Sequence, residues 1–187
     1  MLTLLPNKNN YNFTTANMRK IVTTIILIAS VFTAFAQNME SEELEQRIAI
    51  IEAKMAIKNV LDEFSNLADT KEIDKQVLLF TEDGTVESYS NGERSSLLEG
   101  REQLEQAFSR FLSNFHTVYH QNGQQTIDLR GSEATATSYC RVILVGENDG
   151  NQVKTTLYTI YTDEFINQNG KWVIKHRKSN FVWREVE

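Results

Sequence analysis

Cysteine and proline are almost absent from the chain, and basic residues are outnumbered by acidic ones. The single cysteine, Cys140, excludes an internal disulfide, so a packed core must hold the fold together, and Cys140 is expected to be a small buried side chain of that core. The formal net charge of −6 and the pI near 5.2 argue against nucleic acid and anionic membrane surfaces as partners.

A long apolar run is also missing, and the only candidate lies near the amino terminus. A basic pair follows Met18, residues 21–32 are apolar, and a small-x-small cleavage site ends at Ala36, before Gln37. The run is shorter than the roughly 20 residues of a comfortable membrane span. Residues 1–36 are therefore predicted to be a leader with a signal peptide, with the true start at Met18 and cleavage after Ala36. An uncleaved anchor is the alternative. The mature protein is expected to be exported, periplasmic or secreted, without further contact with the membrane.

No glycine or proline interrupts residues 41–69, which show the periodicity of a helix. One apolar stripe, called here the first stripe, consists of Leu44, Ile48, Ile51 and Met55. A second stripe consists of Ile57, Val60, Leu61, Phe64 and Ala68. The two point to nearly opposite sides of the helix. The second should pack on a sheet, whereas the first either forms a homodimer contact or covers the domain's own outer wall. Residues 37–55 are accordingly assigned to a helical extension and 56–187 to the domain.

The rest of the chain predicts two further helices and an antiparallel sheet. The helices are expected at 74–80 and 101–115, a short hairpin at 85–89 and 94–98, and long strands at 117–129, 134–145, 152–165 and 171–183. Asn91-Gly92, Asp149-Gly150 and Asn169-Gly170 are tight-hairpin signals, and Gly123 predicts a bulge or bend. Helices on one side of such a sheet define an α+β fold. The expected architecture is a cone-like, curved antiparallel sheet wrapped around the N-terminal helices.

Several segments also match a known pattern. They are Ala56 through Phe64 to Asp69, residues 79–87, Gly100-Arg101-Glu102, the set His120, Gln124 and Gly131, Tyr161-x-Asp163, and residues 170–174. Together they resemble the SnoaL-like branch of the NTF2-like superfamily, which includes ketosteroid isomerase, scytalone dehydratase and bile-acid dehydratase. The resemblance covers roughly residues 48–183 and implies an NTF2-like fold. It is weak for chemistry, because one fold hosts many functions.

Two positions depart from the family pattern. Ser88 stands where ketosteroid isomerase has its general-base Asp, and Phe64 stands where some dehydratases of the family have a Tyr. A serine cannot take a proton at neutral pH, so isomerase chemistry of that particular kind is not expected here.

The resemblance implies a catalytic pair formed by His120 and Asp69. Histidine suits general acid/base work, and a carboxylate on its other ring nitrogen would fix the tautomer and stabilise the imidazolium. In family dehydratases a comparable pair removes a proton next to a carbonyl and helps to expel a β-hydroxyl. By helical angle alone Asp69 lies about 120° from the centre of the second stripe, which favours a solvated side chain. A rim histidine without a catalytic role is the alternative for His120.

Aromatic and polar side chains of the first helix and of the strands are the candidates for a substrate-binding wall. The set is Phe64, Tyr119, Gln124, Tyr139, Tyr161, Trp172, His176 and Arg177. In alternating strands many such rings belong to the core. His176 and Arg177 are adjacent on one strand, so they point to opposite faces and only one of them can reach the cavity.

No metal or cofactor is expected. His116 and His120 are four residues apart, but on a strand that places them about 13 Å from each other, and no HExxH glutamate is present. Three functions stay open. The first is a cofactor-independent dehydratase or isomerase, of lyase or isomerase type, acting on an apolar or cyclic carbonyl compound. The second is a non-catalytic protein that binds a small hydrophobic molecule, and the third is an oligomerisation scaffold.

Overall fold

The computed structural model describes the backbone of residues 9–187 and the side chains of residues 17–28 and 37–187. The chain divides into two compact units between Ala49 and Ile50. No helix among the described residues carries an apolar stretch sufficient to cross a membrane. The predicted cleavage site at residues 34–36 lies outside the described side chains, so cleavage stays a prediction.

Three helices and six strands make up the described chain. They are α1 (Asn9–Thr70), α2 (Ile73–Gln76), a 3₁₀ turn (Val77–Leu79), β1 (Phe80–Ser90), β2 (Glu93–Glu99), α3 (Gly100–Leu112), β3 (Phe115–Arg130), β4 (Glu133–Asn148), β5 (Asn151–Gln168) and β6 (Lys171–Val186). The order agrees with the sequence expectation. The strands are longer than expected, and the helix predicted over residues 74–80 is divided between α2 and the 3₁₀ turn.

The six strands form one curved, unclosed sheet in the order β2-β1-β6-β5-β4-β3. The long strands β3, β4, β5 and β6 pair antiparallel, as expected. The expectation of a wholly antiparallel sheet is wrong at one place, since β1 pairs with β6 in parallel. A parallel neighbour needs a long crossover, and the chain between β1 and β6 supplies it. The fold is therefore α+β with a mixed sheet.

Asparagine or aspartate followed by glycine closes three hairpins. Asn91 and Gly92 have φ values of 53° and 83°, Asp149 and Gly150 have 51° and 77°, and Asn169 has 54°. These positive values belong to the tight primed turns, whose twist matches that of the flanking strands. The three hairpin turns predicted from these dipeptides are thus confirmed.

Two of the bulges in the sheet bear on which side chains of β3 and β6 face the helices. Between Asn122 and Gln125 the register of β3 on β4 shifts, which confirms the bend expected at Gly123. The second lies in β6, where Phe165 pairs with Ile174 but Glu164 pairs with His176, so that Lys175 is left between them. A bulge reverses the alternation of side chains beyond it.

The core lies between the carboxyl-terminal part of α1 and the concave side of the sheet. The second stripe is buried there as predicted: Ile57 is 0% exposed, Leu61 5% and Ala68 2%. Burial of each large aliphatic side chain contributes about 1.5–3 kcal/mol. The residues of the first stripe are exposed, with Ile51 at 57% and Met55 at 61%.

Candidate functional site

A cavity of about 410 Å³ lies between α1, α3 and the concave face of the sheet. Most of its wall is apolar and includes Phe64, Phe108, Phe111, Val142, Leu157 and Phe181. The polar side chains at the wall are Gln76, Ser88, Ser95, Ser96, His120, Tyr161, Arg177 and Ser179. A mostly apolar cavity with a few convergent polar groups is the usual form of a small-molecule site.

His120 lies on β3 and reaches this cavity because strand residues alternate between faces. Val118, two residues before His120 on the same strand, is 7% exposed, whereas Tyr119 between them is 53% exposed. The side chain of His120 itself is 6% exposed. Strand alternation therefore places the imidazole on the concave side of the sheet.

Asp69 lies in the last turn of α1 and holds His120 at two points. Its Oδ1 is 2.6 Å from Nδ1 of the imidazole, and its two oxygens accept the backbone N–H of His120 at 3.0 and 3.1 Å. The Asp69 side chain is 23% exposed, so the solvated position favoured by its helical angle is wrong. The β3 backbone runs close enough to the helix end for the carboxylate to turn towards it. With Nδ1–H donating to Asp69, Nε2 of the neutral ring is free to accept a proton.

A second polar contact ties β3 to α1 beside this pair. Asn122, two residues beyond His120, donates from Nδ2 to Oδ1 of Asp62 at 3.1 Å. Ser65 donates to Oδ1 of Asn122, also at 3.1 Å. Asp62, Ser65 and Asp69 lie three and four residues apart, so they share one face of the helix. The strand carrying His120 is therefore fixed to α1 at His120 and again at Asn122.

Arg177 and Asp163 form a fully buried ion pair at the cavity wall. Nε and Nη2 of Arg177 donate to the two carboxylate oxygens of Asp163 at 2.7 and 3.0 Å. The side chains are 1% and 0% exposed. Burial opposes the charged form of Arg177, but the Asp163 carboxylate outweighs this effect and raises the pKa of the guanidinium. Arg177 is thus charged and its charge is balanced within the wall.

Aromatic rings enclose the same guanidinium. Its central carbon lies 4.0 Å from the ring centroid of Phe64 and 4.5 Å from that of Tyr161. Burial, above all, raises the pKa of the Tyr161 phenol, so its hydroxyl keeps its proton. Tyr161 brings a phenol to the cavity from a strand, whereas the first helix carries Phe64 where some dehydratases of the family that the sequence resembles have a Tyr.

Of the eight candidate wall residues, the structure brings Phe64, Tyr161 and Arg177 to the cavity together with His120. The bulge at Lys175 decides between the two neighbours on β6. It turns Arg177 inward, whereas His176 lies outside the cavity and its Nδ1 is 2.7 Å from Oγ1 of Thr85. The placement of His176 in the wall is therefore wrong.

Four further candidates also lie outside the cavity. Tyr119 and Tyr139 are 53% and 47% exposed, because each neighbours a buried residue on its strand and so points the other way. Gln124 lies in the β3 bulge and lines a separate cavity with Tyr139. Trp172 is buried, at 7% exposed, but it is a core residue near the Asn169-Gly170 turn and does not line the cavity.

Sequence reasoning gave no role to Gln76, which is 1% exposed and lines the cavity. It belongs to the one-turn helix α2, which is too short for a periodic pattern to show which side is buried. Phe108 and Phe111 lie on the helix expected over residues 101–115, and both reach the cavity. Among the described residues, no group of three or more His, Cys, Asp or Glu side chains is placed to hold a metal ion.

Comparison with known families and structures agrees with this architecture. The sequence profile of the SnoaL-like domain matches residues 49–178. A candidate scytalone dehydratase from Novosphingobium aromaticivorans is 22% identical with a TM-score of 0.63, over 72% of this chain and 87% of that one. A candidate aromatic ring hydroxylase from the same organism is 21% identical with a TM-score of 0.64, over 73% of this chain and 93% of that one.

A third similar structure is described by its fold. It is an NTF2-like protein with a cystatin-like fold, also from Novosphingobium aromaticivorans, and it is 20% identical with a TM-score of 0.60, over 74% of this chain and 87% of the other. No curated protein matches the sequence. At these identities the structural likeness shows the fold, and the chemistry has to be argued from the residues of the cavity.

Proposed function

Because the chain belongs to the SnoaL-like domain family, with an NTF2-like fold, we propose that its cavity is the active site of a dehydratase or isomerase. The substrate is an apolar or cyclic carbonyl compound, His120 is the general base, and Asp69 orients it. The reaction is of lyase or isomerase type and, as in the dehydratases that the sequence resembles, uses side chains without a cofactor.

In the proposed reaction Nε2 of His120 removes a proton from the carbon next to the substrate carbonyl. The electron pair moves onto the carbonyl oxygen and gives an enolate, while the Asp69 carboxylate stabilises the imidazolium. In a dehydration the pair then returns to form the carbon–carbon double bond, and the β-carbon–oxygen bond breaks. The leaving hydroxide takes the proton from the imidazolium and departs as water. In an isomerisation the substrate also carries a β,γ double bond, so the intermediate is a dienolate and the proton returns to its γ-carbon.

The contact of 2.6 Å between Nδ1 of His120 and Oδ1 of Asp69, beside an apolar cavity, carries this proposal. A histidine with one ring nitrogen held by a carboxylate presents its other nitrogen as a base. An apolar wall around that nitrogen would exclude water that competes for the proton. His116 offers a contrast on the same strand, since its Nδ1 contacts the hydroxyl of its neighbour Thr117 and its side chain is exposed.

Deuterium exchange at the α-carbon of 1-tetralone in D₂O tests the first step without knowledge of the natural substrate. We expect the protein to accelerate the exchange seen by NMR, and His120→Ala to lower the acceleration about 100-fold. His116→Ala is the matched control and should leave the rate within about twofold. Exchange at the spontaneous rate, or equal acceleration by wild type and His120→Ala, would contradict the proposal.

A non-catalytic ligand-binding protein is the second candidate, and the predominantly apolar wall of the cavity favours it. The same measurement separates the two functions. Tight binding of a small apolar molecule without accelerated exchange, in wild type and in His120→Ala alike, is the result expected of a binding protein. Native mass spectrometry of protein from its own host would then identify the ligand class.

We also propose that the protein is exported, with removal of residues 1–36. The support is the basic pair after Met18, the apolar run and the small residues at positions 34 and 36. Intact-mass measurement of protein purified from its own host should give a mature chain that begins at Gln37. A mature chain that retains residues 18–36 would favour the uncleaved anchor.

A further inference from the structure

Two fully buried polar side chains at the cavity wall each carry a polar atom without a hydrogen-bond partner among the described residues. Gln76 and Arg177 are both 1% exposed, and both line the cavity. The unpartnered atoms are Oε1 of Gln76 and Nη1 of Arg177. Buried polar atoms in folded proteins are nearly always hydrogen-bonded, because an unmade bond destabilises the fold. These two atoms therefore indicate a missing partner.

The remaining contacts of the two side chains fix what each atom can do. Nε2 of Gln76 donates to the backbone carbonyl of Phe64 at 2.8 Å, which assigns the amide orientation and leaves Oε1 as an acceptor. Nε and Nη2 of Arg177 are engaged by Asp163, which leaves Nη1 as a donor. The two groups also share a neighbour, since the guanidinium lies 4.0 Å above the ring of Phe64. One acceptor and one donor thus adjoin the same residue.

We propose that the Phe64 end of the cavity binds the hydroxyl group of a neutral, ring-sized ligand. A hydroxyl can donate to Oε1 of Gln76 and accept from Nη1 of Arg177 at once. A carboxylate cannot donate, and it would add a second negative charge beside Asp163, whose charge already balances Arg177. The inference rests on the proposal that the cavity holds a small molecule, and it adds the class of that molecule.

Three probes of one ring size test this recognition by equilibrium dialysis against the full chain: 2-naphthol, 2-methylnaphthalene and 2-naphthoate. We expect 2-naphthol to bind about tenfold more tightly than 2-methylnaphthalene, which has a similar shape without the hydroxyl, and 2-naphthoate to bind least. Equal affinity for the hydroxyl and methyl probes, or tightest binding of the carboxylate, would overturn the inference. A buried water that satisfies both atoms permanently would give the first of these results.

Gln76→Leu assigns the effect to the proposed atoms. It removes the acceptor, and the affinity for 2-naphthol should fall about fivefold while that for 2-methylnaphthalene stays within about twofold. The methyl probe therefore reports whether the cavity is still folded in the variant. If Gln76→Leu destroys binding of both, Gln76→Met repeats the comparison with an unbranched side chain that is also apolar.

His120→Ala separates this inference from the proposed reaction, because His120 is another polar group at the wall. Loss of α-proton exchange with an unchanged preference for 2-naphthol leaves the inference standing. A preference that disappears in His120→Ala but persists in Gln76→Leu would assign the hydroxyl to His120 and defeat the inference. Accelerated exchange in wild type without any hydroxyl preference would defeat the inference while the proposed reaction stands.

Discussion

At the residue scale, the proposed chemistry depends on what Asp69 does for His120. Its carboxylate touches both the ring and the backbone of the histidine. The Asp69 carboxylate therefore both positions the imidazole and supplies the negative charge beside it. Only a substitution that keeps the shape of the Asp69 side chain can separate these two effects. Asn in place of Asp keeps an oxygen for hydrogen bonding but removes the negative charge that stabilises the imidazolium.

Asp69→Asn should lower the acceleration of 1-tetralone exchange by about 100-fold or more, with little loss of stability. Asp62→Asn is the matched control. Asp62 lies on the same helix face and accepts a hydrogen bond from Asn122, without contacting His120. The control should stay within about twofold of wild type in the same NMR assay. Equal rates in wild type and Asp69→Asn would mean that the carboxylate has no role in proton removal.

The buried Arg177–Asp163 pair makes a second prediction at this scale. Arg177→Met leaves the Asp163 carboxylate buried without a partner and should destabilise the fold by about 3–5 kcal/mol. The double variant Arg177→Met/Asp163→Leu should regain most of that loss, because no charge stays buried. Unfolding in urea measures all three proteins.

Arg94→Met is the comparison for an exposed pair. Arg94 donates to Glu87 at 2.9 Å, and its side chain is 52% exposed, so solvent screens the interaction. Its loss should therefore cost much less stability than the loss of Arg177. Similar losses for Arg177→Met and Arg94→Met would contradict the assignment of the cavity-wall pair as a charged pair.

At the scale of elements, hairpin turns could be read from the sequence but the strand register could not. Asn169-Gly170 fixes the β5–β6 hairpin, and counting outward from that turn would place Arg177 opposite Thr162. The extra residue Lys175 shifts the pairing, so Arg177 faces Asp163. No residue type marks this bulge, whereas glycine marked the one at Gly123. The pairing of Arg177 with Asp163 was therefore not predictable, although the sequence shows both residues.

Contacts between residues that are distant in the sequence are the second feature that local sequence patterns do not predict. His120 and Asp69 are 51 residues apart, and only the family resemblance suggested their pairing. The helical angle of Asp69 predicted a solvent-exposed side chain. That angle is a local property of the helix and contains no information about the position of β3. The parallel pairing of β1 with β6 is non-local in the same way. Local periodicity predicts which face is apolar, but not which element covers it.

The two stripes of α1 predict different sensitivities to the same substitution. Ile57 is 0% exposed in the second stripe, whereas Ile51 is 57% exposed in the first. Ile57→Ala should destabilise the fold by about 2–5 kcal/mol through lost burial and a cavity, whereas Ile51→Ala should stay within about 0.5 kcal/mol. Urea unfolding at low protein concentration provides the measurement. A loss for Ile51→Ala as large as that for Ile57→Ala would show that the first stripe is covered.

At the scale of the whole molecule, the open question is whether copies of the chain associate. Exposed large apolar residues in a row are unusual on a monomeric protein. The residues of the first stripe recur at the four- and three-residue spacing of a helix–helix seam. We propose that this stripe contributes to a homodimer, which would remove its side chains from water.

Substitution of first-stripe residues by lysine tests the proposed dimer. Ile51 and Met55 are exposed, so the double variant Ile51→Lys/Met55→Lys can fold as a monomer while it places like charges against each other in a dimer. We expect sedimentation equilibrium to find wild type as a dimer and the double variant as a monomer, since two desolvated lysines per copy oppose association. Gln46→Lys adds charge at an exposed position on the opposite side of the helix from the stripe and should leave the dimer intact. A wild-type monomer would contradict the proposed homodimer. A double variant that still dimerises would mean that another surface forms the contact. The exposed Tyr119, Tyr139 and Trp183 of the sheet would be the next surface to change.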